Sequence, residues 1–128
     1  MLRTFLVLAL AGLLAACSST TAKAPTGERL TLVQPSDHTL RRGASSVLDV
    51  MVRRYGFSDA VGITLEALPA GVALEEQAPA IPKDMAVGHF RLQASADAEI
   101  VSHHPVRITA TGPSGLTVSE WFQVTVRE

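Results

Sequence analysis

From Glu28 to the C-terminus, apolar residues recur at every second position, and this period constrains the fold more than any other feature of the chain. Alternate side chains on an extended strand point to opposite faces, so a period of two places one apolar row on one face. Leu30 and Leu32 mark a strand near 29–34, and Leu48, Val50 and Val52 a second over 46–54. Val61, Ile63 and Leu65 form a third, and Val72 to Glu75 reads as a short fourth. Phe90, Leu92 and Ala94, then Val106, Ile108 and Ala110, continue the pattern. Leu116, Val118, Phe122, Val124 and Val126 close it. Turn residues separate these runs at Pro35-Ser36-Asp37, Ser58-Asp59, Leu68-Pro69-Ala70-Gly71 and Gly112-Pro113-Ser114-Gly115. Gln77 to Asp84, holding Pro79 and Pro82, reads as a loop. Pro69, Gly71 and Pro79 argue against a helix over 67–80. About seven short strands with one wet face each predict an all-β antiparallel sandwich. Glu120 interrupts the last apolar row, which predicts a bend near Ser119-Glu120 and a bulge turning Trp121 inward.

Such a sandwich must hold by packing alone. The 128 residues contain one cysteine, which excludes an internal disulfide, a four-cysteine zinc site and a CxxC redox centre. A formal net charge of −1 gives no support for nucleic-acid binding, which needs many phosphate-neutralising cations.

The N-terminus has a different character. Met1 to Thr4 carries one positive charge at Arg3, and an apolar run from Phe5 to Leu14 follows. This is the layout of a secretory signal, with small residues Ala15 and Ala16 at the cut. Ten residues at about 1.5 Å each, if helical, cover about half of a ~30 Å hydrocarbon core, too little to span it. Leu14-Ala15-Ala16-Cys17 closely resembles the lipobox of bacterial lipoproteins. The resemblance implies cleavage between Ala16 and Cys17, a diacylglyceryl group on the Cys17 thiol and acylation of its new amino group. Membrane lipid is then a partner through acylated Cys17, held by more than the single acyl chain that binds marginally. Ser18 and Ser19, with no aspartate after the cysteine, imply an outer-membrane position facing the periplasm. The expected organisation is a signal peptide over 1–16, a lipidated flexible tether over 17–27 and one domain over 28–128. A coil of about ten residues would span roughly 15–20 Å.

Within the domain, Gly56-Phe57, the Val61–Leu65 strand and Leu68-Pro69-Ala70-Gly71-Val72 resemble the bacterial extracytoplasmic immunoglobulin-like repeats. Ile81-Pro82, Phe90-Arg91-Leu92, His104 to Gly112 and Phe122 to Val126 follow in the same order. The resemblance covers roughly Glu28–Glu128 and implies an immunoglobulin-like sandwich, a fold that by itself assigns no activity.

Candidate chemistry is sparse. His103-His104 is the most conspicuous metal-ligand pair, with His38, His89, Met51 and Met85 as further donors, and Pro105 places the pair in a loop. No spacing matches a known metal site, so neither metal nor cofactor is expected. Arg41-Arg42 and Arg53-Arg54 are the local basic features, suited to anionic lipid or to a charged turn. Glu75-Glu76 are adjacent, whereas a glycosidic carboxylate pair must face each other across a substrate. There is no GxSxG elbow, and the single thiol is committed to lipid. Tyr55 and Trp121 are the candidates for a sugar platform, although Trp121 also suits the core. The chain is therefore read as a non-catalytic envelope lipoprotein that binds or scaffolds another envelope protein. The alternative is a ligand-binding lipoprotein for metal or glycan.

Overall fold

The computed structural model describes residues 18–128; the expected signal peptide, the Ala16–Cys17 junction and the expected acylation at Cys17 fall outside them. Ten strands are present: β1 Ser19–Lys23, β2 Arg29–Val33, β3 His38–Arg41, β4 Ser45–Tyr55, β5 Val61–Glu66, β6 Val72–Leu74, β7 Ala80–Ile81, β8 Val87–Ala94, β9 Val101–Thr111 and β10 Thr117–Arg127. They form two five-stranded sheets, ordered β1-β2-β4-β8-β6 and β3-β10-β9-β5-β7. The all-β sandwich read from the alternation, immunoglobulin-like as the resemblance implies, is the fold of the described residues. Leu48, Val50 and Val52 of β4 and Phe90 and Leu92 of β8 line one inner face. Val106, Ile108 and Ala110 of β9 and Phe122 and Val124 of β10 line the other. This is the apolar row of each strand, sealed between two wet outer faces.

Three strands escape the alternation. β3 and β7 have only four and two residues, too short to display a period. β3 also departs from the expected antiparallel plan, because it pairs parallel with Val124–Arg127 of β10. The chain crosses between the sheets at Pro35–Asp37 and continues without reversing. The third, β1, lies where a flexible tether is expected. All of Ser19–Lys23 pair antiparallel with Val33–Arg29 of β2. Its sequence, STTAK, shows no apolar row because the strand sits at the sheet margin with only Ala22 partly buried. Hydrophobic periodicity cannot reveal a strand whose partner is backbone.

The turn at Leu68–Gly71 forms as its residues demand. The Val72 amide donates to the Pro69 carbonyl at 3.0 Å, and Gly71 takes φ +82°. A Cβ at Gly71 would fall 2.7 Å from the Ala98 Cα, so glycine is required twice over, by conformation and by close approach.

The expected bend at Ser119-Glu120 and the inward Trp121 are both absent. β10 pairs with β9 without interruption from Thr117 to Val124. Its irregularity lies further on, where Val124 faces His104 but Val126 faces Val101. His103, at φ +52°, supplies the extra residue of this bulge, and its amide donates to the Thr125 hydroxyl at 3.1 Å. Trp121 therefore keeps the outward parity of its strand and is 52% exposed.

Glu120 stays inward and only 7% exposed because β1 and the residue before it supply its partners. The Thr20 and Ser18 hydroxyls donate to its Oε1 at 2.7 and 3.2 Å. The carboxylate and two hydroxyls thus close one flank of the sandwich between β1 and β10. Thr20→Val leaves the buried carboxylate short of its best donor and is expected to cost about 1–3 kcal/mol in denaturant unfolding. Glu120→Leu extends the apolar row and is expected to cost under about 1 kcal/mol, with Thr20→Val then nearly neutral in that background. Equal and additive losses would contradict this account of the flank.

Candidate functional site

The four histidines do not converge on one point. His103 occupies the bulge, and His104 lies within β9 rather than in a loop, its Nε2 2.7 Å from the Ala67 carbonyl. His89 is on the outer face of β8, its Nδ1 2.5 Å from Asp49 Oδ1. His38 is half-buried on β3, 3.2 Å from the Ser46 hydroxyl and edge-on to Phe122. Among the described residues, no three His, Cys, Asp or Glu side chains converge in a manner that suits a metal ion. Met51 is on the outer face of β4 and Met85 in the loop before β8.

The arginine pairs divide between structure and surface. Arg54 gathers the 81–85 segment, donating to the carbonyls of Asp59 (2.9 Å), Pro82 (3.0 Å) and Met85. Arg42 donates to the Ala98 carbonyl at 2.8 Å. Both are carbonyl clamps, while Arg41 and Arg53 remain exposed. Glu75 and Glu76 both serve Arg91: Glu75 pairs with its side chain at 3.3 Å, and Glu76 accepts from its amide at 3.2 Å. Tyr55 is 63% exposed under the Arg29 guanidinium, 4.8 Å from the ring centroid. Tyr55 and Trp121 lie on the outer faces of different sheets, so they make no joint platform.

The feature that sequence reading missed is a groove on the flank opposite β1. There β5 and β6, on different sheets, do not meet, and residues 75–80 cross the gap. The open groove, about 620 Å³, is walled by Leu65, Leu68 and Leu74, with Ala73, Gln77 and Pro79 at its rim. β7 covers β5 only at Val61 and Gly62, and the Ile63 amide donates to the Pro79 carbonyl at 2.9 Å. Backbone groups alternate sides along an antiparallel strand, so Leu65 directs its N–H and C=O the same way as Ile63. Among the described residues, no backbone group pairs with Leu65 on that side. An unpaired strand edge beside apolar side chains can add an extended peptide: the backbone supplies hydrogen bonds and the leucines supply pockets. The signal in the sequence was slight, namely a β5 row ending in Leu65 before a long proline-bearing connection.

No family model matches this sequence, and no curated protein matches it. Solved structures with similarity to the chain include a chain of the complex between titin M10 and the obscurin-like 1 Ig domain (20% identity, TM-score 0.47, covering 78% of this chain and 95% of that one). A chimeric titin Z1Z2 carrying a decorin-derived peptide matches at 15% identity and TM-score 0.43, covering 86% and 97%. The tandem immunoglobulin repeats of Dlar match at 13% and 0.45, covering 87% and 49%.

Burial lowers the His38 pKa, while the Asp49 and Asp37 carboxylates pull the other way. The folded-state value therefore lies below the unfolded value of 6.5, so folding disfavours the charged ring. This contribution to stability is complete above about pH 6.5 and is lost as the pH falls below it. The thermal midpoint is expected to fall more steeply from pH 7 to 5 in the natural protein than in His38→Gln. An unchanged slope in the variant would rule out His38 as a source of acid sensitivity.

Proposed function

We propose that this chain is a non-catalytic, lipid-anchored envelope lipoprotein whose sandwich domain receives an extended segment of another envelope protein. The groove beside Leu65 carries the reading: it joins an unpaired strand edge to an apolar wall at the flank opposite Ser18 and β1. The anchor rests on Leu14-Ala15-Ala16-Cys17, and Ser18-Ser19 after it favour the periplasmic face of an outer membrane. A permanently held domain meets its partner by diffusion in two dimensions, so a modest groove suffices to scaffold an abundant envelope protein. No ligand chemistry beyond lipid acylation is needed.

Two measurements check the two halves of the proposal. Metabolic labelling with an alkyne-tagged palmitate should mark the natural chain, and Cys17→Ser should abolish the label; a labelled variant would refute the anchor. A photo-crosslinking residue placed at Ala73, on the groove rim, should capture a discrete envelope protein in intact cells, whereas one at Thr31, on the outer face of β2, should not. Capture from Thr31 but not Ala73 would refute the groove.

A further inference from the structure

We propose that the β1 flank docks directly on the bilayer surface, with Trp121 in the headgroup layer. This rests on the anchor reading and replaces the flexible tether. The first described residue, Ser18, is already fixed to the fold. The Ser18 carbonyl accepts from the Gln34 amide at 2.8 Å, its hydroxyl donates to Glu120, and β1 starts at the next residue. Consecutive Cα atoms are about 3.8 Å apart, so acyl chains on Cys17 hold Ser18 within the headgroup region. The fold leaves no slack over which the domain can stand off.

The point of attachment sets the orientation. Ser18 meets Glu120, which lies well inside the Thr117–Arg127 strand rather than at a loop end of the sandwich. An anchor at mid-height on a flank lays the domain on its side. What surrounds Ser18 suits a lipid surface. β1 carries three hydroxyls and one lysine and no acid. Gln34 Nε2 donates to the Trp121 carbonyl at 2.7 Å, so the tryptophan backbone is fastened to the residue that holds Ser18. At this height β10 is the margin of its sheet, because β3 pairs only with Val124–Arg127. Trp121 stands on that margin, half exposed, beside a hollow lined by Gln34, Asp37, Pro105 and Gln123. The Asp37 carboxylate is engaged by the Gln123 amide at 2.9 Å. An indole, with its apolar body and single N–H donor, is favoured at the membrane–water boundary.

Trp121 is the only tryptophan in the chain and reports on its own position. The acylated full-length protein, its acyl mass confirmed, is reconstituted into phosphatidylethanolamine–phosphatidylglycerol vesicles that contain brominated lipid. Trp121 fluorescence should be strongly quenched by the bromines and shielded from iodide. The same measurement on acylated Trp121→Phe/Ala73→Trp, with the reporter on the opposite flank, should give several-fold weaker bromine quenching and free iodide access. An acylated chain with equal quenching at the two positions, or with Trp121 open to iodide, overturns the flank docking while leaving the anchor intact. A chain that carries no acyl mass at Cys17 overturns both.

Discussion

Two stacked sheets have two lateral mouths, and how each is closed governs everything else in this molecule. The interior is apolar and unstapled, so water entering at a flank would strike the core directly. On one side the chain spends an entire strand on closure. β1 covers the margin and, with Ser18 just before it, directs two hydroxyls at Glu120, converting a carboxylate that breaks the apolar row into the seam between the sheets. A buried carboxylate without those donors would be costly, and β1 without that acceptor would have little side-chain reason to stay. Strand and acid therefore depend on each other across about a hundred residues of sequence. On the other side closure is incomplete, and β7 with the 75–80 crossing leaves the Leu65 edge exposed.

Much of this was legible in the sequence wherever burial wrote a pattern. The strands of the interior, β4, β5, β8 and the inner parts of β9 and β10, follow from alternating Val, Leu, Ile and Phe, because each has one face on the core. The LPAG turn was legible too, since Gly71 is forced by both conformation and contact. What was illegible lacks side-chain burial. β1 is held by backbone pairing and hydroxyls, which look like a polar linker in one dimension. Glu120 read as a defect because its partners lie a hundred positions away. Trp121 was assigned inward on the prior that a large aromatic seeks the core, yet its odd position in the row had already placed it outside. The proline after His103-His104 suggested a loop, but a β-bulge tolerates both the positive φ and the proline within a continuous strand.

The candidate chemistry shows the same division. Histidines that look like a cluster in sequence are distributed by strand parity and sheet membership, and the rings of His38, His89 and His104 each find a local partner. Arg54 looks like half of a basic pair but serves as a clamp on backbone carbonyls. Sequence adjacency in a β-protein is a poor guide to spatial convergence, because neighbours point to opposite faces. The groove shows the converse: Leu65 and Leu74 come from different sheets and converge only because the flank between them is left open.

The two flanks also stand in a definite relation to each other. Both sheets run from the β1/β3 side to the β6/β7 side, so the groove is as far from Ser18 as the sandwich allows. A domain on a long tether would tumble, and the position of its groove would carry no meaning. Under the proposed anchor, a domain fastened at Ser18 would not tumble, and fastening by one flank would turn the other toward the aqueous space. The strand that closes the core would then also be the strand that aims the groove. The segment is ordered despite so little apolar content because its backbone pairs along the whole of β2 and hydroxyls of Ser18 and Thr20 hold Glu120, and the proposed anchor would turn that order into an orientation.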